Sequence, residues 1–178
     1  IQMSVLEKFK AIKTFVFVVC GWSTEGSLLN LNGGQRARLM KIKDGYALQL
    51  AVKKGYRVVI ISGGTSDAVR ARLEKLGVND CFLKVNNKKE KLVEYVAEHQ
   101  LNWDEVLFMG DDIPDYVPMQ LTGLPCCPSD AVAEIKQVAP YISHIAGGKG
   151  CARDVIGKLL NLTGHWDLRT TVLSRYMP

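Results

Sequence analysis

The sequence contains no apolar run approaching the roughly 18 residues that a membrane-spanning helix needs. Its longest is Phe15-Val16-Phe17-Val18-Val19-Cys20, which stops at Gly21. Nothing in it resembles a signal peptide, so the expectation is a soluble cytoplasmic protein with no membrane partner. Its five cysteines, Cys20, Cys81, Cys126, Cys127 and Cys151, are odd in number and lack C-x-x-C spacing. That excludes a disulfide framework or a zinc site as the organising device and leaves buried free thiols. No aromatic-basic stripe is present, because the lysines and arginines behind the net charge of +5 are interleaved with acids. A small anion suits such a surface better than a nucleic acid does. Internal repeats and low-complexity segments are also missing. One further absence is local: the apolar stretch over 15–20 carries no carboxylate. What is there, 178 residues with 47% apolar content, is enough for one well-buried core and too little for two ordinary domains. One domain over 1–178 is expected.

The stretch over 15–20 has β-branched and aromatic residues and no helical period, and reads as a buried parallel strand opening into a turn at Gly21. Ser4-Val5-Leu6-Glu7 has capping-box spacing and predicts a short helix before it. Two alternating runs joined at Asn32-Gly33-Gly34 predict a β-hairpin inserted over about 27–40, which cannot bury much by itself and would cover the site or pack on another subunit. Helical and strand-like segments then alternate. Strands are expected at 57–61, 81–85, 106–109, 123–127 and 141–145, with helices ending at Gly55 and Gly77, from about Lys88 to His99, from about Asp130, and over about 152–160. This order implies an α/β fold, a parallel sheet with helices on both faces. The tail over about 165–178 carries a lone Trp166, read either as a disordered end or as docking on a neighbouring copy.

Polar residues gather at the expected strand ends. Gly110-Asp111-Asp112-x-x-Asp115 follows a buried strand directly. Adjacent carboxylates there repel one another and lose solvation, which a hard cation such as Mg²⁺ would relieve, while a capped helix start explains Asp112 and Asp115 equally well. Ser62-Gly63-Gly64 offers a hydroxyl and backbone N–H groups for phosphate, or ordinary turn chemistry. Lys88 would add a cation at the same edge, or belong with Lys84, Lys89 and Lys91 to a solvated basic face. Gly147-Gly148-Lys149-Gly150 is a loop that could accept an anion.

Taken together and in this order, these motifs resemble the haloacid dehalogenase superfamily of phosphatases. More narrowly, the hairpin, Ile42-Lys43-Asp44-Gly45-Tyr46, Ile61-Ser62-Gly63, Met109-Gly110-Asp111-Asp112, Gly123-Leu124-Pro125 and the Gly147–Gly150 loop resemble the 3-deoxy-D-manno-octulosonate 8-phosphate phosphatase family, over about 15–166. The resemblance implies a Rossmann-like three-layer fold and a homotetramer with sites between subunits. It also implies a sugar-acid phosphate ligand, with a product that feeds lipopolysaccharide synthesis. It assigns phosphate binding to Ser62, Gly63 and Lys88. It assigns Mg²⁺ to Asp111 and the Cys20 carbonyl, with Asp112 behind them. The family pattern Asp-x-Asp-Gly-x-x-Thr-x-Gly falls on Gly21, Thr24 and Gly26, so the nucleophile position is Val18 and the acid/base position Cys20. Valine cannot accept a phosphoryl group, and the turn over 21–26 has no Arg to activate a thiol. The expectation is a family member with impaired or absent catalysis, weak or absent Mg²⁺ binding and a retained phosphate cradle. An active Mg²⁺-dependent phosphatase and a purely structural tetramer are the alternatives.

Overall fold

Apolar residues at both parities along short strands require a sheet covered on both sides. The computed structural model has that layout, and it describes residues 2–18, 29–30, 36–37, 42–64 and 67–169. Ser4 caps α1 (Val5–Ala11): its hydroxyl accepts from the Glu7 N–H at 3.2 Å and its own N–H donates to the Glu7 carboxylate at 2.9 Å. Next come β1 (Thr14–Phe17), β2 (Leu29–Asn30), β3 (Arg36–Ala37), α2 (Ile42–Lys53), β4 (Arg57–Ile61), α3 (Asp67–Lys75) and β5 (Asp80–Phe82). The chain continues through α4 (Lys88–Glu98), β6 (Val106–Met109), α5 (Tyr116–Leu121), β7 (Leu124–Cys127), α6 (Ala133–Val138), β8 (Tyr141–Ile142) and α7 (Cys151–Leu162). Single 3-10 turns, Trp103–Glu105 and Ile113–Asp115, flank β6.

Six strands form one parallel sheet in the order β5-β4-β1-β6-β7-β8. The order reverses beside β1, and in open α/β sheets ligands bind outside the carboxyl ends at such a switch point. Phe17 pairs with Ile60 on one side and Met109 on the other, so Val18, Ile61 and Gly110 stand level at the ends of three adjacent strands. Phe15 and Phe17 face the layer of α1, α2, α3 and α7, while Val16 and Val18 face that of α4, α5 and α6. This is the expected α/β, Rossmann-like three-layer arrangement. Among the described residues no helix is long and apolar enough to cross a membrane.

Two expectations need adjustment, and a third falls partly outside the described residues. The strand foreseen over 81–85 is the shorter β5, because Lys84 takes a left-handed backbone (φ 59°) and Val85 turns to donate its N–H to the Ser62 carbonyl at 3.0 Å. The described part of the hairpin is the antiparallel pair of β2 and β3, with Leu29 opposite Ala37; its turn and flanks lie outside the described residues. Trp166 is not in a disordered end, for it packs on its own chain. Its ring stands edge-on to Tyr46 at 5.8 Å, with the Arg153 guanidinium 5.1 Å from its centre. Lys54 binds Asp167 at 3.4 Å and Tyr56 meets His165 Nδ1 at 2.6 Å, which fastens the same segment to the turn after α2.

One close approach fixes how β7 enters the sheet. Gly123 donates its N–H to the Trp103 carbonyl at 2.8 Å, and a Cβ there would sit 2.5 Å from the Asp104 carbonyl oxygen and 2.6 Å from its Cα. Backbone cannot rotate away as a side chain can. Gly123→Ala is therefore expected to lower the unfolding free energy by about 1–3 kcal/mol. Gly157→Ala, in α7, meets only the Trp166 ring at 3.7 Å and is expected to gain up to about 1 kcal/mol. Urea unfolding of the two variants checks the contrast.

Candidate functional site

The loop after β6 is built around Asp115. Gly110 passes so close to it that a Cβ would lie 2.5 Å from the Asp115 Cβ, which explains the glycine at the head of the acidic motif. Asp115 is fully buried. Its Oδ2 accepts the N–H groups of Asp111 at 3.0 Å and Asp112 at 3.3 Å, and its Oδ1 accepts from Lys88 Nζ at 2.6 Å. Asp112 caps the following turn, its Oδ1 accepting the Ile113 N–H at 2.8 Å. The helix-start reading thus accounts for Asp112 and Asp115.

Lys88 is not part of a solvated face. It opens α4 behind the Asn87 cap, and its side chain is only 16% exposed against the 1% of Asp115. The sequence singled out Lys88 but missed its partner, since 27 positions separate them and only the packing of α4 beside the loop joins them. On the other side of β1, Ser62 is buried, donates its N–H to the Phe82 carbonyl at 2.9 Å, and accepts the Gly64 N–H on its hydroxyl at 3.1 Å. Among the described residues nothing accepts the hydroxyl proton, and Gly63 beside it is exposed. Ser62, Val18 and Asp111 thus stand at the ends of adjacent strands. Val18 is 1% exposed and packs with Val16, Val59, Ile61 and Phe108. Cys20 lies outside the described residues. In the Gly147–Gly150 loop, the Gly147 N–H donates to Asp130 Oδ1 at 2.8 Å and Gly150 caps α7 with φ 116°.

Asp111 is the carboxylate of this edge with a perturbed pKa. Burial, then the negative charge of Asp115 and a hydrogen bond between the two side chains, push it up from 3.8 to about 6, against the pull of Lys88. Weak or absent Mg²⁺ binding was the expectation, and the donors among the described residues do not fit the ion. Both oxygens of Asp115 are engaged, Asp112 caps a turn, Val18 offers no oxygen, and among the described residues no three acidic, His or Cys side chains converge as a metal site. One carboxylate, Asp111, remains. Because the folded chain holds a proton on Asp111 more tightly than the unfolded chain, this group's stabilising share falls as pH rises from about 4 to about 6. Asp111→Asn removes that dependence, so the variant is expected to gain stability relative to wild type across this window. Denaturant titrations at the two ends of the window measure it.

No protein-family model matches the chain. The 3-deoxy-D-manno-octulosonate 8-phosphate phosphatase of Salmonella typhi is 28% identical over 167 residues, spanning 94% of this chain and 89% of that protein. A solved structure from Legionella pneumophila, named for the haloacid dehalogenase superfamily, subfamily III A, is 30% identical with a TM-score of 0.86, covering 90% of this chain and 88% of its own. The 3-deoxy-D-manno-octulosonate 8-phosphate phosphatase of Moraxella catarrhalis, solved with magnesium, phosphate and KDO, is 25% identical with a TM-score of 0.85, covering 89% of this chain and 91% of its own. With near-complete coverage in both directions and the same parallel sheet, the chain belongs to the haloacid dehalogenase superfamily, in the group of 3-deoxy-D-manno-octulosonate 8-phosphate phosphatase-like proteins.

Proposed function

We propose that this chain binds a sugar-acid phosphate ester at the carboxyl edge of its sheet and does not hydrolyse it. The observation that carries the reading is Val18, buried in an apolar cluster at the level where β1 meets the switch point. Phosphoryl transfer through an aspartyl phosphate needs a carboxylate there, and an aliphatic side chain has no atom to take the group. Cys20 stands where the family pattern has its acid/base Asp. Ser62, Gly63 and Lys88 do not depend on either position, and their placement supports a retained cradle. The Moraxella catarrhalis protein holds phosphate and KDO, which favours a sugar-acid phosphate as the ligand class. Asp111 would be the side-chain contact of any bound Mg²⁺, held weakly, with the Cys20 carbonyl and Asp112 in support. We place the protein in the cytoplasm as one domain over 1–178. We also propose that four copies assemble through the hairpin over 27–40, because β2 and β3 form a sheet of two strands that cannot stand alone.

Turnover of the octulosonate phosphate and of a generic phosphate ester tests the central claim. Loss of a general acid/base alone costs about 10²–10⁴ in rate, so with the nucleophile gone as well, wild type is expected to release no phosphate above background. Val18→Asp with Cys20→Asp is expected to restore Mg²⁺-dependent release more fully than Val18→Asp alone, and adding Trp22→Val is needed if the indole occupies the substrate space. Robust Mg²⁺-dependent turnover by wild type, abolished by Asp111→Asn, would overturn the reading. Native mass spectrometry at micromolar protein is expected to show the four-copy species, and a monomer alone would count against the assembly.

A further inference from the structure

We infer that the edge takes its phosphate without a divalent cation, with the Lys88 ammonium, held on Asp115, as the positive group that the anion meets. This rests on the reading that the edge binds a phosphate ester, and asks how the charge of that ester is balanced. A phosphate dianion brought beside carboxylates is repelled unless a cation intervenes. At this edge the carboxylates are largely withdrawn from such a contest. The charge of Asp115 is met by Lys88 at 2.6 Å and by two backbone N–H groups, and the residue is fully buried behind them. Asp112 points one oxygen at the Ile113 N–H and lies on the exposed side of the loop. Positions 18 and 20 supply no carboxylate at all. Asp111 is the one carboxylate left at the edge, and set against it are three donors: the Ser62 hydroxyl, whose oxygen already accepts from Gly64, the Gly63 backbone and the ammonium.

Lys88 is suited to the part. An ammonium has three N–H donors, and among the described residues one is used, on Asp115, leaving two. It also opens α4, a helix of 11 residues whose N-terminal end adds positive potential in the same direction. A Mg²⁺ ion, by contrast, gives up its water reluctantly, and among the described residues no three acidic, His or Cys side chains converge to hold it. Asp115 acts as a positioning residue, because it sets where the ammonium stands and does not touch the ligand.

The test is calorimetric titration of inorganic phosphate into the full chain, once with excess EDTA and once with excess Mg²⁺. The two dissociation constants are expected to agree within about twofold. Binding seen only with Mg²⁺, or tightened by it about tenfold or more, would overturn the inference while leaving the phosphate-binding reading intact. Absence of binding in both media would overturn both. Lys88→Gln is expected to weaken phosphate binding by about tenfold or more in EDTA. Since that variant leaves a buried carboxylate without its cation and can fail to fold, Lys88→Arg is the companion: it keeps the charge and is expected to retain binding that EDTA does not affect. Wild-type affinity in a folded Lys88→Gln protein, or binding by Lys88→Arg that EDTA removes, would overturn the inference.

Discussion

The ion pair between Lys88 and Asp115 is the constraint on which the carboxyl edge depends. Measured against two apolar residues of the same size, such a pair adds little stability, because both ions must leave water. Breaking it is another matter. Removal of one partner strands a buried charge at a cost of about 3–5 kcal/mol. The pair therefore fixes geometry more than it adds stability. Through one oxygen of Asp115 it holds the first residue of α4, and through the other it holds the backbone of Asp111 and Asp112. Gly110 completes the arrangement, since any side chain there would meet Asp115 at 2.5 Å. Five residues from two separate segments thus stand or fall together.

This coupling explains how an acidic loop can be present on a strand edge whose first position is valine. Asp115 and Asp112 have structural work independent of any reaction, one under the loop and the other at a helix start. Val18 has no such ties. It fills space among Val16, Val59, Ile61 and Phe108, where a carboxylate would need a compensating charge to remain ionised. Exchanging a reactive acid for an aliphatic residue at that point relieves strain of the kind that active sites carry. An aliphatic residue at the end of β1 is compatible with an undamaged fold, whereas removal of Lys88 or Asp115 alone is not.

The sheet was legible because every central strand is apolar at both parities and ends at a glycine or a polar residue. Gly55 and Gly77, at φ 88° and 85°, close α2 and α3 where the helical periodicity stops. Contacts between distant segments were not legible. Lys88 looked like one member of a basic run, since its three neighbouring lysines carry the same local signal, and only the fold separates it from them. The contacts of Trp166 within its own chain were missed for the same reason: its partners, Tyr46 and Arg153, are distant in sequence or hidden by helical packing. Lys84 was placed in a strand because a left-handed backbone at a lysine has no signature in composition.

The edge also lacks a substitute nucleophile among its described residues. The carboxylate of Asp111 is burdened by burial and by Asp115, with its pKa pushed up to about 6, and its backbone is tethered to that same neighbour. Cys127, at the end of β7, is a thiol that burial pushes up to about 11, so the reactive thiolate is scarce at neutral pH. Burial raises Cys81, Cys126 and Cys151 as well, which makes the described cysteines small core residues and nothing more reactive. Ser62 has a hydroxyl in the right place, but the bond it makes is accepted from the Gly64 N–H and none links it to a base that could draw off its proton. A serine without a base and a thiol without a charge can bind a phosphate or border it. Neither can attack it, so the described residues of this edge offer donors for recognition and no nucleophile.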